Sequence, residues 1–137
     1  MQKAFTMMEL IFVIVIIGIL SAIALPKLGG TVNQAHIAKG KSTLAAVRSA
    51  ISTERQKRIL RGDFTEITSL GDGLDTFSAD ESGATATVLD YSIKSGCTDV
   101  GCWNRSGTTY TFYYSGGSCA FELSGNKLTG TCGVFGY

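Results

Sequence analysis

One histidine serves the whole 137-residue chain, and only 17% of its residues carry charge. His36 has no Cys, Asp or Glu at ligand spacing, so it reads as a polar helix residue rather than part of a metal centre. No cysteine has a histidine base beside it either, which argues against a thiol nucleophile. Proline is just as scarce, with Pro26 the single example. A chain of this length has room for one small domain. That excludes a large catalytic fold with a separate cofactor domain, and neither enzyme activity nor a cofactor is expected. The apolar share of 45% and a mean hydropathy of +0.21 are too high for a disordered chain.

The few charges are unevenly divided. Through Arg61 nine basic and two acidic residues give +7; from Gly62 onward three basic and nine acidic give −6. Thirteen of the 17 glycines also lie in the second part. The two parts are built differently.

After Met1-Gln2-Lys3-Ala4 the chain reads Phe5-Thr6-Met7-Met8-Glu9-Leu10, and from Leu10 to Leu20 it is apolar throughout, counting Gly18. As a helix, Phe5 to Leu25 would span about 31 Å, the hydrocarbon thickness of a bilayer. Lipid requires every backbone polar group to be satisfied within the segment, so the β-branched Ile and Val run reads as a membrane helix, with Pro26 kinking it or marking its edge. Glu9 is the anomaly. A carboxylate costs roughly 2.5 to 3.5 kcal/mol at the bilayer centre and less near an end. It either reaches water at the cytoplasmic interface or awaits a positive partner, for which an α-amino group, its own or a neighbour's, is the available cation.

These residues resemble the N-terminal signature of type IV pilins and type II secretion pseudopilins. The resemblance covers about the first 26 residues. It implies that a prepilin peptidase removes the leader 1–4 by cutting between Ala4 and Phe5, and that the new Phe5 amine is methylated. It also implies that Glu9 is the assembly residue, pairing with the N-terminal amine of the adjacent subunit. Ala4 stands where that family usually has Gly. A rival reading takes Leu10–Leu20 as the core of an ordinary signal peptide and Ala22-Ile23-Ala24 as its cleavage site, which would leave an exported domain starting at Leu25.

Residues 27–61 are basic and Ala-rich. Leu44, Val47 and Ile51 recur at helical spacing, as in an amphipathic helix. Lys57, Arg58 and Arg61 suit the negative end of that helix, and Gly62 supplies its stop. Ala35–Ser42 loosely resembles a phosphate loop, but no strand precedes it and the segment reads as helix, so nucleotide binding is not expected. The basic residues form a solvated face or meet acidic surfaces of neighbouring subunits. DNA as a partner is unsupported, because no aromatic residues are interleaved with these charges.

From Gly62 the composition changes to Gly, Thr, Ser and aromatics. The acidic stretch Gly71-Asp72-Gly73-Leu74-Asp75 with Asp80-Glu81 does not have the spacing of an EF-hand loop, and no metal is expected. Thr108–Ser115 alternates, with Tyr110, Phe112 and Tyr114 on one face. A turn at Gly116-Gly117 predicts Tyr114 opposite Cys119, Phe112 opposite Phe121 and Tyr110 opposite Leu123. A second turn at Gly125-Asn126 sets Leu123 opposite Leu128 and Cys119 opposite Cys132. With two-residue turns the latter Cα atoms approach to about 4.5 Å, close enough for a disulfide. Cys97 and Cys102 then close a short loop. The twelve-residue gap between Cys119 and Cys132 is unlike a zinc site, and disulfides fit an oxidising compartment outside the cytoplasmic membrane. Trp103 is expected at the edge of the core.

The fold expected is α+β and pilin-like. A long N-terminal helix, half in the membrane (5–26) and half amphipathic (27–61), packs on an extracytoplasmic β-rich domain (62–137) with an antiparallel meander of about four strands. The resemblance implies a structural subunit of a type IV pilus or type II secretion pseudopilus. Such a subunit is inserted once in the inner membrane and polymerises through its helix. Its partners would be copies of itself, other pilins or pseudopilins, prepilin peptidase, an inner-membrane assembly platform and membrane lipid. The alternative is a monomeric binding module, membrane-anchored or exported.

Overall fold

The computed structural model describes residues 5–72, 75–77 and 88–136. Its helix α1 (Met7–Leu60) precedes strands β1 (Asp75–Phe77), β2 (Ile93–Lys94), β3 (Trp103–Ser106), β4 (Thr109–Tyr114), β5 (Gly117–Ser124) and β6 (Lys127–Thr129), and a 3-10 turn (Gly133–Phe135) follows. The class is α+β, and the chain divides into two compact units, Met1–Gln34 and Ala35–Tyr137.

Within the first unit, the segment Met7–Pro26 is helical, has a mean hydropathy of 2.8 and is not buried at all. A helix apolar on every side must be covered by lipid or by other helices. It is long and apolar enough to cross a membrane. Pro26 lies inside the helix rather than at its end. Having no N–H, it leaves the Ala22 carbonyl without its helical partner.

In the second unit the helical spacing of Leu44, Val47 and Ile51 becomes a buried stripe, each 0–2% exposed. Gly40 extends this stripe. A Cβ built there would lie 2.6 Å from the Phe112 ring, so the absent side chain lets the helix approach the sheet closely. The helix ends in a Schellman motif: the Gly62 N–H donates to the Ile59 carbonyl (3.0 Å) and the Asp63 N–H to that of Arg58 (2.9 Å). Gly62 takes the left-handed φ of +78° that this cap needs. Beyond it, Asp63 accepts from both the N–H and the hydroxyl of Thr65. These bonds hold the Asp63 carboxyl below its usual range, the hydroxyl contributing most.

Four strands form an antiparallel meander in the order β3-β4-β5-β6, and β1 and β2 form a separate two-stranded ribbon. The alternation in β5 is complete, with Cys119, Phe121 and Leu123 facing inward. They meet Tyr110, Phe112 and Leu128 in one core, with Trp103, Phe77 and Phe135 packed among them. The β5–β6 turn is Gly125-Asn126, with Leu123 opposite Leu128. Both turn residues have φ near +60°, as a tight hairpin requires.

The β4–β5 register differs from expectation. The turn is Ser115-Gly116, which puts Tyr110 opposite Phe121 and Phe112 opposite Cys119. Gly116, at φ +126°, holds the second turn position, where a positive φ is needed. The slip is two residues, so every side chain keeps its face. Alternation alone cannot distinguish the two registers.

Trp103 is also deeper than expected. It is 3% exposed, and its ring lies 5.2 Å from that of Phe112, 5.3 Å from Phe77 and 5.9 Å from Phe121.

Candidate functional site

The residues singled out at the start of the chain gather at the head of α1. Thr6 stands one residue before the helix, and its hydroxyl accepts the Glu9 N–H at 3.2 Å. The Glu9 carboxylate reaches back to the Thr6 N–H at 3.4 Å. This is a capping box, which satisfies two N–H groups that no helical carbonyl can reach. It also sets a negative charge at the positive end of the helix dipole. The signal was present in the sequence as Thr-Met-Met-Glu ahead of an apolar run, and reading Glu9 only as a charge in need of a cation overlooks it. Phe5, Met7 and Met8 around it are 77–79% exposed. Ala4 and the rest of the leader lie outside the described residues.

The carboxylate has acceptor capacity left after one hydrogen bond. The site is therefore a negatively charged, solvent-open helix head followed by a uniformly apolar rod. Among the described residues, the site offers a carboxylate to a cation and apolar surface for burial.

The cysteines belong to the second unit. Cys119 and Cys132 are bonded, with Cα atoms 5.4 Å apart. β6 ends at Thr129, so this bond joins strand β5 to the segment after the ladder. Cys97 and Cys102 are bonded with Cα atoms 5.8 Å apart. Their loop continues the edge of β3, because Gly101 N–H donates to the Tyr113 carbonyl and Tyr113 N–H to that of Cys102. The loop sits on α1 where the imidazole of His36 meets Gly101, leaving no room for a side chain there. His36 is thus a packing contact. Among the described residues no cluster of His, Cys, Asp or Glu can hold a metal. Gly73, Leu74, Asp80 and Glu81 of the acidic stretch lie outside them.

The basic residues divide by partner. Lys57 and Arg58 reach Glu54 at 3.9 and 3.4 Å. Arg48 Nε donates to the Leu128 carbonyl at 3.0 Å, and its guanidinium lies 5.9 Å from the centre of the Phe121 ring. Ala35–Ser42 is helical throughout. The glycine of the phosphate-loop-like pattern, Gly40, faces the core, so the pattern has no phosphate cradle.

Comparison with known proteins points the same way as the helix head. Residues 1–25 match the family described as the prokaryotic N-terminal methylation motif. Across nearly its whole length the chain is similar to the type IV narrow pilus major component PilA5 of Thermus thermophilus, 40% identical over 126 residues, covering 90% of this chain and 97% of that protein. It is 34% identical over 130 residues to a fimbrial protein of Pseudomonas aeruginosa, covering 93% and 77%. It is 29% identical over 141 residues to the type IV major fimbrial protein FimA of Dichelobacter nodosus, covering 96% and 81%. No solved structure gives a significant match.

Proposed function

Since the chain belongs to the type IV pilin family, a structural and non-enzymatic one, we propose that this pilus subunit polymerises through residues 5–26, with Glu9 as its assembly residue. The observation that carries this is the pairing of a capped, exposed carboxylate with a 20-residue span, Met7–Pro26, of which nothing is buried. A prepilin peptidase cuts between Ala4 and Phe5, and the Phe5 amine so created is methylated. That new positive charge stands at the positive end of a helix dipole, where it is unfavourable until a carboxylate compensates it. Glu9 of the adjacent subunit does so, and its own amine calls in turn for the next.

Apolar packing between helices in lipid sets register weakly, because lipid tails are as apolar as the neighbour. A charge pair that is costly until complete supplies the missing direction. Before assembly the chain crosses the inner membrane once, with residues 62–137 outside the cytoplasm, supported by an assembly platform. The similar proteins are named for pili and fimbriae, which favours a pilus over a secretion pseudopilus.

Glu9→Gln tests the reading. Gln keeps the length of the side chain and one acceptor but loses the charge, leaving a partner amine uncompensated, at a cost of about 3–5 kcal/mol where the pair is buried. Membrane insertion and both disulfides are expected to persist while pelletable polymer disappears. Polymer in normal yield would reduce Glu9 to a helix cap, whereas a parent chain that forms no polymer would favour the monomeric module. Intact mass then separates the processing routes: a chain starting at Phe5 with one extra methyl is expected, and one starting at Leu25 would mean signal peptidase.

A further inference from the structure

A small cavity of about 140 Å³ lies in the second unit where α1, β2 and β3 converge. Its lining includes Lys39 and Thr43 from successive turns of the helix, Lys94 from β2 and Trp103 from β3. Every polar group in this set can donate, and three of the four carry nitrogen donors that cannot accept at all. The Trp103 Nε1–H is buried and has no acceptor among the described residues. The residue itself is 3% exposed. Neither lysine makes an ion pair among the described residues. Ile93 and Phe112 give the wall its apolar part, and Tyr91, Gly101 and Cys102 complete it.

We propose that this cavity is a binding site for a carboxylate carried on a short aliphatic stem. Two ammonium groups repel a cation and select an anion. The unpartnered indole N–H of Trp103 and the Thr43 hydroxyl, on residues lining the same cavity, add donors for its oxygens, and donors beside ammonium groups favour a carboxylate. The apolar wall decides between anions. Phosphate or sulfate is polar on all sides and gains nothing from Ile93 and Phe112, whereas a carboxylate on one or two methylenes places its stem against them. The carboxylate has two possible sources. The acidic part of the chain, with nine Asp and Glu from Gly62 onward, supplies such groups from a second copy. A free short-chain carboxylic acid carries the same chemistry. The site belongs to the folded subunit and does not depend on polymerisation through Glu9.

Trp103 is the single tryptophan of the chain, so its emission reports the site directly. The full-length protein in detergent is titrated with sodium propionate, with sodium chloride at matched ionic strength and with inorganic phosphate. A saturable change in Trp103 emission is expected with propionate, no saturable change with chloride, and a weaker response with phosphate. Lys39→Gln with Lys94→Gln should weaken propionate binding by about tenfold or more, while Lys39→Arg with Lys94→Arg retains it. Both lysines are exposed, and intact disulfides with an unchanged far-ultraviolet spectrum certify each variant. The indole N–H resonance of the unmodified protein gives the same reading without any substitution. Repeating the titration at rising protein concentration separates the sources. A falling apparent affinity means a second copy competes with its own carboxylate, and a constant one means a free acid. The proposal is overturned by an unsaturable response, by equal responses to chloride or phosphate, or by unchanged affinity in the Gln variant.

Discussion

Tyr110 shows how one hydroxyl ties distant parts of the second unit together. Its Oη accepts the N–H of Leu70 at 2.9 Å, and both residues are fully buried. Tyr110→Phe keeps the ring stacked on Phe77 but strands that N–H, so a loss of about 1–3 kcal/mol is expected. It should appear as a lower denaturation midpoint with an unchanged slope. Burial also raises the phenol above its usual value of 10.0. The fold holds it neutral, so its contribution is complete below pH 10 and declines as pH rises beyond it. Chemical denaturation between pH 8 and pH 11 should show that alkaline decline in the parent and less of it in Tyr110→Phe. Asp63 works in the opposite direction: its lowered carboxyl contributes above the usual value of 3.8 and less as pH falls through that range. At this scale the sequence was an uneven guide. Thr6 and Glu9 are three residues apart, so their capping box was readable. Leu70 and Tyr110 are forty apart, and no local pattern links them.

Between elements, glycines separate close contact from open space. A methyl placed on Gly29 or Gly30 would meet nothing, while at Gly40 such a methyl meets the Phe112 ring, itself wedged against Trp103 and Phe135. Gly29→Ala should stabilise its helix by about 1 kcal/mol, as propensity alone dictates. Gly40→Ala should destabilise the folded unit by about 1–3 kcal/mol despite the same propensity gain, because the packed ring cannot yield. Denaturation of the two variants side by side checks the contrast. The bridges differ too. Cys119 and Cys132 are 6% and 3% exposed, and their bond encloses 13 residues of sequence separation against 5 for Cys97–Cys102. Under mild reductant the Cys97–Cys102 bond should open first, as mass mapping after alkylation would record. Replacing Cys119 and Cys132 with Ser should cost about 2–5 kcal/mol. The helix, its Gly62 stop and the Gly125-Asn126 turn were legible because each is a local signal. The β4–β5 register was not, because a two-residue slip preserves every inward and outward face. The β1–β2 ribbon was missed because its strands are three and two residues long and follow no alternation.

Across the whole chain, the divided charge and the bare apolar rod ask for different surroundings. With Lys3 lost in the leader, side chains give +6 before Gly62 and −6 after it. These parts can meet in different copies, and such contacts between exposed charges weaken as salt rises. The Debye length falls from about 30 Å at 0.01 M to about 3 Å at 1 M. Polymer preassembled at low salt and held in mild detergent, which covers the apolar span, should therefore release subunits as salt is raised, while each released chain keeps its disulfides and fold. Sedimentation across a salt series checks this, and yields independent of salt would make the basic residues a solvated face. The membrane-length helix was readable from its unbroken apolar run, and the α+β class from helical spacing followed by alternation. The cavity at Trp103 was not, because it draws on residues from position 39 to position 112 that only folding brings together.

The edges of the meander bear on what this molecule avoids. Its outer strands, β3 and β6, have four and three residues, whereas the inner pair, β4 and β5, have six and eight. One edge carries Arg105 and the other Lys127, and the β1–β2 ribbon lies against β3. Short, charged or covered edges offer little template for strand addition. A subunit held with many copies of itself at high local concentration is at constant risk of cross-β stacking, an ordered aggregate of far greater permanence than a helical polymer. By keeping its longest strands inside, the meander offers little purchase for that route, which suits a subunit proposed to assemble through its helix instead.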